Sequence, residues 1–277
     1  MTTCSPQRPE SKVQNPWDLI DVVKYPVADK TTSAYRQLVE HCRQQLNATG
    51  ACVLPGFIKA EAIDWLCSEA TEMAPLAYHS TVTGNAYLTP EDTSLPAEHP
   101  TRMVDRTSLG ALAYDQMPEG VLIRQLYEWD GLMEFLGDAL GKEKLYRYAD
   151  KMGALNIAVM KDGDYLRWHF DQTDFVVSLL IQDCLSGGEY EFVPMIRSRD
   201  NENFDKVKAV LKGSTEGVIR LEIKPGSLVL FEGRNALHRV TPIEGDVMRL
   251  IALLGYDTKP GVESTDHLRY MRYGRVE

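Results

Sequence analysis

Trp168-His169-Phe170-Asp171-Gln172, running on as Thr173-Asp174-Phe175-Val176-Val177-Ser178-Leu179-Leu180-Ile181, is the stretch on which the reading of this chain turns. Side chains of an extended segment alternate between its two faces, so His169 and Asp171, two apart, point the same way. An imidazole and a carboxylate so placed can grip one ion. By itself such a pair is weak, because a surface histidine beside a surface acid is common in a chain this long. Here, however, the pair stands at the mouth of a β-branched and leucine-rich strand, where a solvated charge pair would be out of place.

Two further blocks add to it. His238, in Arg234-Asn235-Ala236-Leu237-His238-Arg239-Val240, follows the apolar run Ser227-Leu228-Val229-Leu230-Phe231 and offers a third donor. Two histidines and one carboxylate on one face of iron, the opposite positions free, form the facial triad of non-haem Fe(II) oxygenases. Arg249 is the one charge in Met248-Arg249-Leu250-Ile251-Ala252-Leu253-Leu254-Gly255-Tyr256. Burying a guanidinium alone is costly, so a strand arginine of this kind faces a carboxylate, and its forked donors suit one from a ligand.

From about residue 156 to 273 the chain resembles the Fe(II)/2-oxoglutarate-dependent dioxygenases, and among them the small enzymes that hydroxylate or halogenate free amino acids. The matching blocks are Trp168-His169-Phe170-Asp171, Gly187-Gly188-Glu189-Tyr190-Glu191-Phe192-Val193-Pro194, Pro225-Gly226-Ser227-Leu228-Val229-Leu230-Phe231, Leu237-His238-Arg239-Val240-Thr241-Pro242 and Arg249. They are specific in this order and spacing and not singly. The resemblance implies a mainly β fold with flanking helices, a double-stranded β-helix (jelly-roll, cupin-like) barrel. It implies Fe(II) on His169, Asp171 and His238, with 2-oxoglutarate and O₂ as cosubstrates and Arg249 on the far carboxylate of 2-oxoglutarate. It further implies decarboxylation to succinate, coupled to oxidation of an aliphatic C–H bond in a free amino acid or an amino-acid-derived metabolite, as in secondary metabolism. Related halogenases carry a small residue where this chain has Asp171, which leaves room for chloride. A carboxylate there favours hydroxylation, with desaturation or cyclisation from the same triad left open. An arginine from the region before the barrel reaches the substrate carboxylate in such enzymes. Arg102 is the nearest match, a solvated loop arginine being the competing reading, and Asp174 is a candidate acceptor for the ammonium.

Readings from other classes differ in testable ways. A cupin-type metal enzyme would not use 2-oxoglutarate and would not need Arg249; a jelly-roll binding module would bind no iron.

Composition bounds the rest. A chain of 277 residues, 44% hydrophobic, can bury one substantial core. The expected organisation is a mobile arm over residues 1–16 and one catalytic domain over 17–277, with helical support at about 30–141 and the barrel at about 144–277. The net charge of −10 and pI near 5.2 disfavour nucleic acid, whose phosphates need basic patches. Five scattered cysteines without Cys-x-x-Cys suggest reduced thiols, and no run approaches a membrane span, so a cytoplasmic protein, with homodimerisation open, is expected.

Along the chain, Thr31-Thr32-Ser33 caps a predicted helix whose buried face is Tyr35, Leu38, Val39, Cys42 and Leu46. Residues 50–57 read as a short strand closed by a Pro-Gly turn, 60–73 as a second helix, and 78–114 as irregular chain of the kind that lines or covers a site. Residues 120–141 read as one helix ended by glycine, with Trp129 in the core. His41, His79, His99 and His267 read as structural, Arg197 and Arg199 as surface charges, and the basic, aromatic tail 266–275 as a segment folding over the site mouth.

Overall fold

The computed structural model describes residues 15–277; most of the expected arm lies outside that range. After a 3-10 turn at Pro16–Leu19 come α1 (Ser33–Thr49), β1 (Ala51–Leu54) and α2 (Ala60–Met73). Thr32 caps α1, its hydroxyl accepting from the Tyr35 amide at 3.1 Å, and Gly50 ends it in the left-handed conformation. The five α1 side chains buried are those that the 3.6-residue periodicity marks.

The next stretch departs from expectation. Residues 78–112 supply two long strands, β2 (Tyr78–Asn85) and β3 (Val104–Leu112), paired in register from Tyr78 opposite Ala111 to Asn85 opposite Val104. Half of β2 faces solvent with polar side chains, so it carries little of the apolar signal by which a strand is recognised. The helix expected over 120–141 is two, α3 (Leu122–Glu128) and α4 (Asp130–Ala139). Trp129 between them is extended, at φ −73° and ψ 120°, and its indole lies where a side chain on Gly131 would stand. It packs against the core, as expected.

The remaining elements are β4 (Tyr146–Arg147), β5 (Leu155–Met160), β6 (Leu166–His169), β7 (Val176–Gln182), β8 (Ser186–Gly187), β9 (Tyr190–Val193), α5 (Phe204–Leu211), β10 (Ile219–Leu221), β11 (Leu228–Phe231), β12 (Leu237–Val240), β13 (Ile243–Glu244), β14 (Arg249–Leu254), β15 (Tyr256–Asp257) and α6 (Asp266–Tyr273). A seven-stranded sheet runs β1-β11-β7-β14-β5-β3-β2, and a four-stranded sheet β10-β9-β12-β6. The larger sheet takes β1, β2 and β3 from residues ahead of 144, so the expected split between support and barrel does not hold.

The larger sheet is covered on both faces. Leu155, Ile157, Val159, Val177, Leu179, Leu228 and Leu250 pack outward onto α1 to α4. On the other face Val229 and Phe231 meet Phe192 and Tyr190 of the smaller sheet, and Met160 meets Val240. Two sheets closed face to face in this way make a jelly roll, with the mainly β character read from the sequence. No helix among the described residues is long and apolar enough to cross a membrane.

Candidate metal and cosubstrate site

His169 ends β6 and His238 lies on β12, the strand beside it, so the ladder sets the two histidines directly opposite each other. Both face the interior, with ring centroids 4.1 Å apart. Asp171 follows two residues beyond His169, where its amide donates to the Gly233 carbonyl at 3.0 Å. A Cβ at position 233 would fall 1.7 Å from Asp171 Oδ2, so the turn after β11 needs glycine to admit the carboxylate.

The donor atoms of His169, Asp171 and His238 all lie within 4.8 Å of one another. Asp171 Oδ1 is 3.7 Å from His169 Nε2 and 3.5 Å from His238 Nε2. Each Nδ1–H donates to the carbonyl two residues earlier, that of Arg167 at 2.9 Å and of Ala236 at 3.0 Å. This fixes the tautomer and turns each Nε2 lone pair toward the carboxylate, the outer-shell arrangement that orients metal-binding histidines.

Electrostatics agree with that use. Burial, reinforced by the neighbouring His238, pushes His169 down to about 3, so the ring is neutral at pH 7. Burial alone would raise Asp171, but the adjacent His238 and His169, with Arg272 of α6, bring it down to about 2. Asp171 Oδ2 is nevertheless buried without a hydrogen-bond partner. Two inward-facing imidazoles beside an ionised, half-satisfied carboxylate are a donor set that fits a divalent transition metal.

Arg249 opens β14 opposite Met160, points inward and is 2% exposed. Its one acidic neighbour is Asp183, at a loose 3.8 Å, and its Nε has no hydrogen-bond partner. Burial works against its charge. Between Arg249 and the triad stands Tyr190, whose ring stacks on His238 at 5.7 Å and whose hydroxyl, buried and facing the Asp171 charge, is pushed well above its usual range. A buried guanidinium with only this loose ion pair has donors to spare for a dicarboxylate.

The two expected substrate residues lie otherwise. Arg102 donates from Nε and Nη2 to Glu91 at 3.1 and 3.0 Å and from Nη1 to the Leu95 carbonyl. Asp174 is exposed and pairs with Arg234 at 2.6 Å. Each charge is already matched, which takes away the reason to assign either to substrate.

His79 is structural as read, bound to Asp164 at 2.9 Å. Arg197 is no plain surface charge: its guanidinium stacks 3.9 Å from the Phe170 centroid and bonds Glu202 and the Arg234 carbonyl, bracing the outer face of β6. The chain after β2 backs the same face, Ala86 accepting from the Phe170 amide and Tyr87 from Gln172. The tail folds as α6 onto β2 and β3, burying Tyr273 against Leu109 and Ala111. Arg167, passed over in the sequence, is buried two residues before His169. The period-two rule that paired His169 with Asp171 would have found it.

Comparison with known proteins agrees with the site. A family model described as Halogenase D matches residues 34–270. No curated protein matches the chain. Among solved structures, a 2-oxoglutarate/Fe(II) oxygenase-family oxidoreductase from Burkholderia pseudomallei superposes with TM-score 0.52 at 14% identity, over 81% of this chain and 92% of its own. A prolyl hydroxylase from Trichoplax adhaerens, bound to a hypoxia-inducible-factor peptide fragment, gives 0.53 at 14%, over 83% and 94%. HygX from Streptomyces hygroscopicus, with nickel, 2-oxoglutarate and hygromycin B bound, gives 0.52 at 14%, over 83% and 94%. Likenesses this distant carry the fold, while the family match covers most of the chain. Taken with that match, the jelly roll and its inward-facing donor set identify the chain as a member of the Halogenase D family and an Fe(II)/2-oxoglutarate-dependent oxygenase.

Proposed function

We infer that this oxygenase oxidises an aliphatic carbon of a small molecule, a free amino acid or a derivative of one, with hydroxylation as the outcome. His169, Asp171 and His238 would hold Fe(II), and Arg249 would pair with the far carboxylate of 2-oxoglutarate. The observation that carries this reading is that Asp171 Oδ2 and Arg249 Nε are both buried without partners on one interior surface. Leaving charged groups buried with an unmade hydrogen bond is costly, and a metal and a dicarboxylate would supply the missing partners. When bound, iron and 2-oxoglutarate supply O₂ activation driven by decarboxylation to succinate.

The chain's own residues do the positioning. The two Nδ1 hydrogen bonds orient the histidines, Gly233 admits the carboxylate, and Tyr190 with Phe231, which packs 4.8 Å from the His238 ring, lines the wall. Although the family carries a halogenase name, Asp171 occupies the place that a halide would need, which supports transfer of oxygen. The free amino acid rests on the family resemblance.

The test is succinate release from 2-oxoglutarate under a panel of free amino acids, with product mass measured in chloride buffer. Substrate-dependent succinate and a product with one added oxygen are expected. A chlorinated product, or succinate indifferent to every small molecule in the panel, would overturn the reading.

A further inference from the structure

Four buried side-chain polar atoms lack a hydrogen-bond partner among the described residues: Tyr87 Oη, Arg167 Nε, Asp171 Oδ2 and Arg249 Nε. Asp171 and Arg249 are accounted for by metal and cosubstrate. Tyr87 lies on the outer side of β6, between Phe170 and Phe204. Arg167 is left, 7% exposed and two residues from a metal ligand.

The local backbone explains how a charge comes to be there. β6 and β12 pair His169 with His238 but Leu166 with Val240, so three steps on β6 match two on β12. That is a β-bulge, a feature that re-aims side chains and gathers near active sites. Arg167 stays on the buried side of β6 with His169, and its guanidinium reaches toward β2 and β3. There Nη1 donates to Thr107 Oγ1 at 2.9 Å, and the Arg167 amide donates to the same oxygen at 3.2 Å. Nη2 lies over Gly84, where a Cβ would come within 2.7 Å of it.

With Nη1 taken up, the free donors are Nε and Nη2, the side-on edge of the guanidinium fork, which receives the two oxygens of one carboxylate. No acid of the described chain takes that edge. Asp105, whose charge Arg167 feels, is exposed and accepts instead from the Tyr165 hydroxyl at 3.1 Å and the Arg106 amide at 2.7 Å. Other arginines nearby are matched: Arg197 by Glu202, Arg234 by Asp174, Arg239 by Glu191. Arg167 lies two residues before His169 on the buried side of β6.

We propose that the Nε/Nη2 edge of Arg167, held by Thr107 and given room by Gly84, binds a carboxylate of the primary substrate and so sets it beside the metal. This rests on the function inferred above and replaces Arg102 with Arg167 as the substrate-binding cation. It makes the substrate class a small carboxylic acid, free amino acids included, in which the carboxylate itself is recognised.

The experiment titrates free amino acids and their carboxamides into the anaerobic protein complex with Fe(II) and 2-oxoglutarate, followed by the visible absorbance of that complex. In the wild type the best-bound acid is expected to bind at least tenfold more tightly than its carboxamide, a comparison that needs no variant. Arg167→Met should lose at least tenfold in affinity for the acid and erase the preference over the carboxamide, with 2-oxoglutarate affinity within twofold of wild type. Its ligand-free melting temperature should hold or rise, because an uncompensated buried charge is gone; Arg167→Lys should keep part of the preference. Carboxamides binding as well as acids, no acid binding at all, an unchanged Arg167→Met, or weaker binding accompanied by a lowered melting temperature would each overturn the assignment. Calorimetry on the wild type separates the two levels: failure to bind Fe(II) and 2-oxoglutarate sinks the proposed function, whereas binding of both with no carboxylate preference sinks Arg167 alone.

Discussion

Two histidine–aspartate clusters stand among the described residues. In the first, Asp164 accepts from His79 and the Ser108 hydroxyl through Oδ1 and from the Lys161 amide through Oδ2. In the second, Asp171 faces His169 and His238 across 3.5 to 3.7 Å, and its Oδ2 accepts from nothing. The residue types are nearly the same and both aspartates are buried or nearly so. What separates them is valence: one carboxylate is fully matched by its own chain, and the other is left open. A satisfied cluster uses its hydrogen-bonding capacity on the fold, and an open one keeps an oxygen for a ligand. The open cluster marks the site.

The sharpest way to break this contrast is to remove a ligand from the open cluster. His169→Ala or His238→Ala should abolish succinate formation, at least a thousandfold, and abolish tight Fe(II) binding by calorimetry, while the far-UV circular dichroism stays that of wild type. Wild-type turnover in either variant would end the metal reading. His79→Ala, in the matched cluster, should leave Fe(II) binding unchanged.

Next in size is Arg249→Leu. Loss of one partner of a buried charge pair costs about 2–5 kcal/mol, so the 2-oxoglutarate requirement should rise by tens of fold or more. The requirement for the primary substrate should move far less. Equal effects on both would make Arg249 a structural arginine and weaken the contrast.

The stability arm runs the other way. Asp164→Ala strands the Ser108 hydroxyl and the Lys161 amide and should destabilise by about 2–3 kcal/mol in urea titration. Asp171→Ala, which removes a carboxylate with one oxygen unmatched, should cost clearly less ligand-free stability than Asp164→Ala while activity disappears. A similar loss in both variants would show that the open cluster is as structural as the closed one.

The smallest expected effect comes from another matched carboxylate. Asp150 accepts from the Met152, Gly153 and Ser264 amides and from Arg269, tying the segment before α6 to the chain ahead of β5. Burial alone would raise it, but these donors outweigh burial and hold it at about 2, against an ordinary 3.8. A carboxyl depressed on folding contributes stability that is complete above the unfolded value and is lost as pH falls through the folded one. Between about pH 5 and pH 2 the wild type should therefore lose about 2 kcal/mol that Asp150→Asn does not lose. Parallel pH curves for the two proteins would contradict it.

The chain itself determined much of the site. The two-residue spacing of His169 and Asp171, His238 beside a strand and Arg249 alone among apolar residues were legible because each is a local pattern, fixed by strand alternation and by the cost of a buried charge. The α1 face was legible for the same reason. Strand β2 was not, since its exposed polar half erases the alternation signal, and neither was the break at Trp129, which depends on the indole finding room over Gly131.

What only the tertiary structure decided is which polar groups are matched. Arg102 and Arg167 are indistinguishable as residue types, yet Glu91 matches the first and only Thr107 reaches the second. Likewise Asp164 is closed by residues of β2 and β3 far away in sequence, while Asp171 lies open beside Gly233. Pairing across such separations is set by how the sheets stack, and no local spacing records it; the free valences that distinguish a binding group from a structural one exist only once the jelly roll has closed.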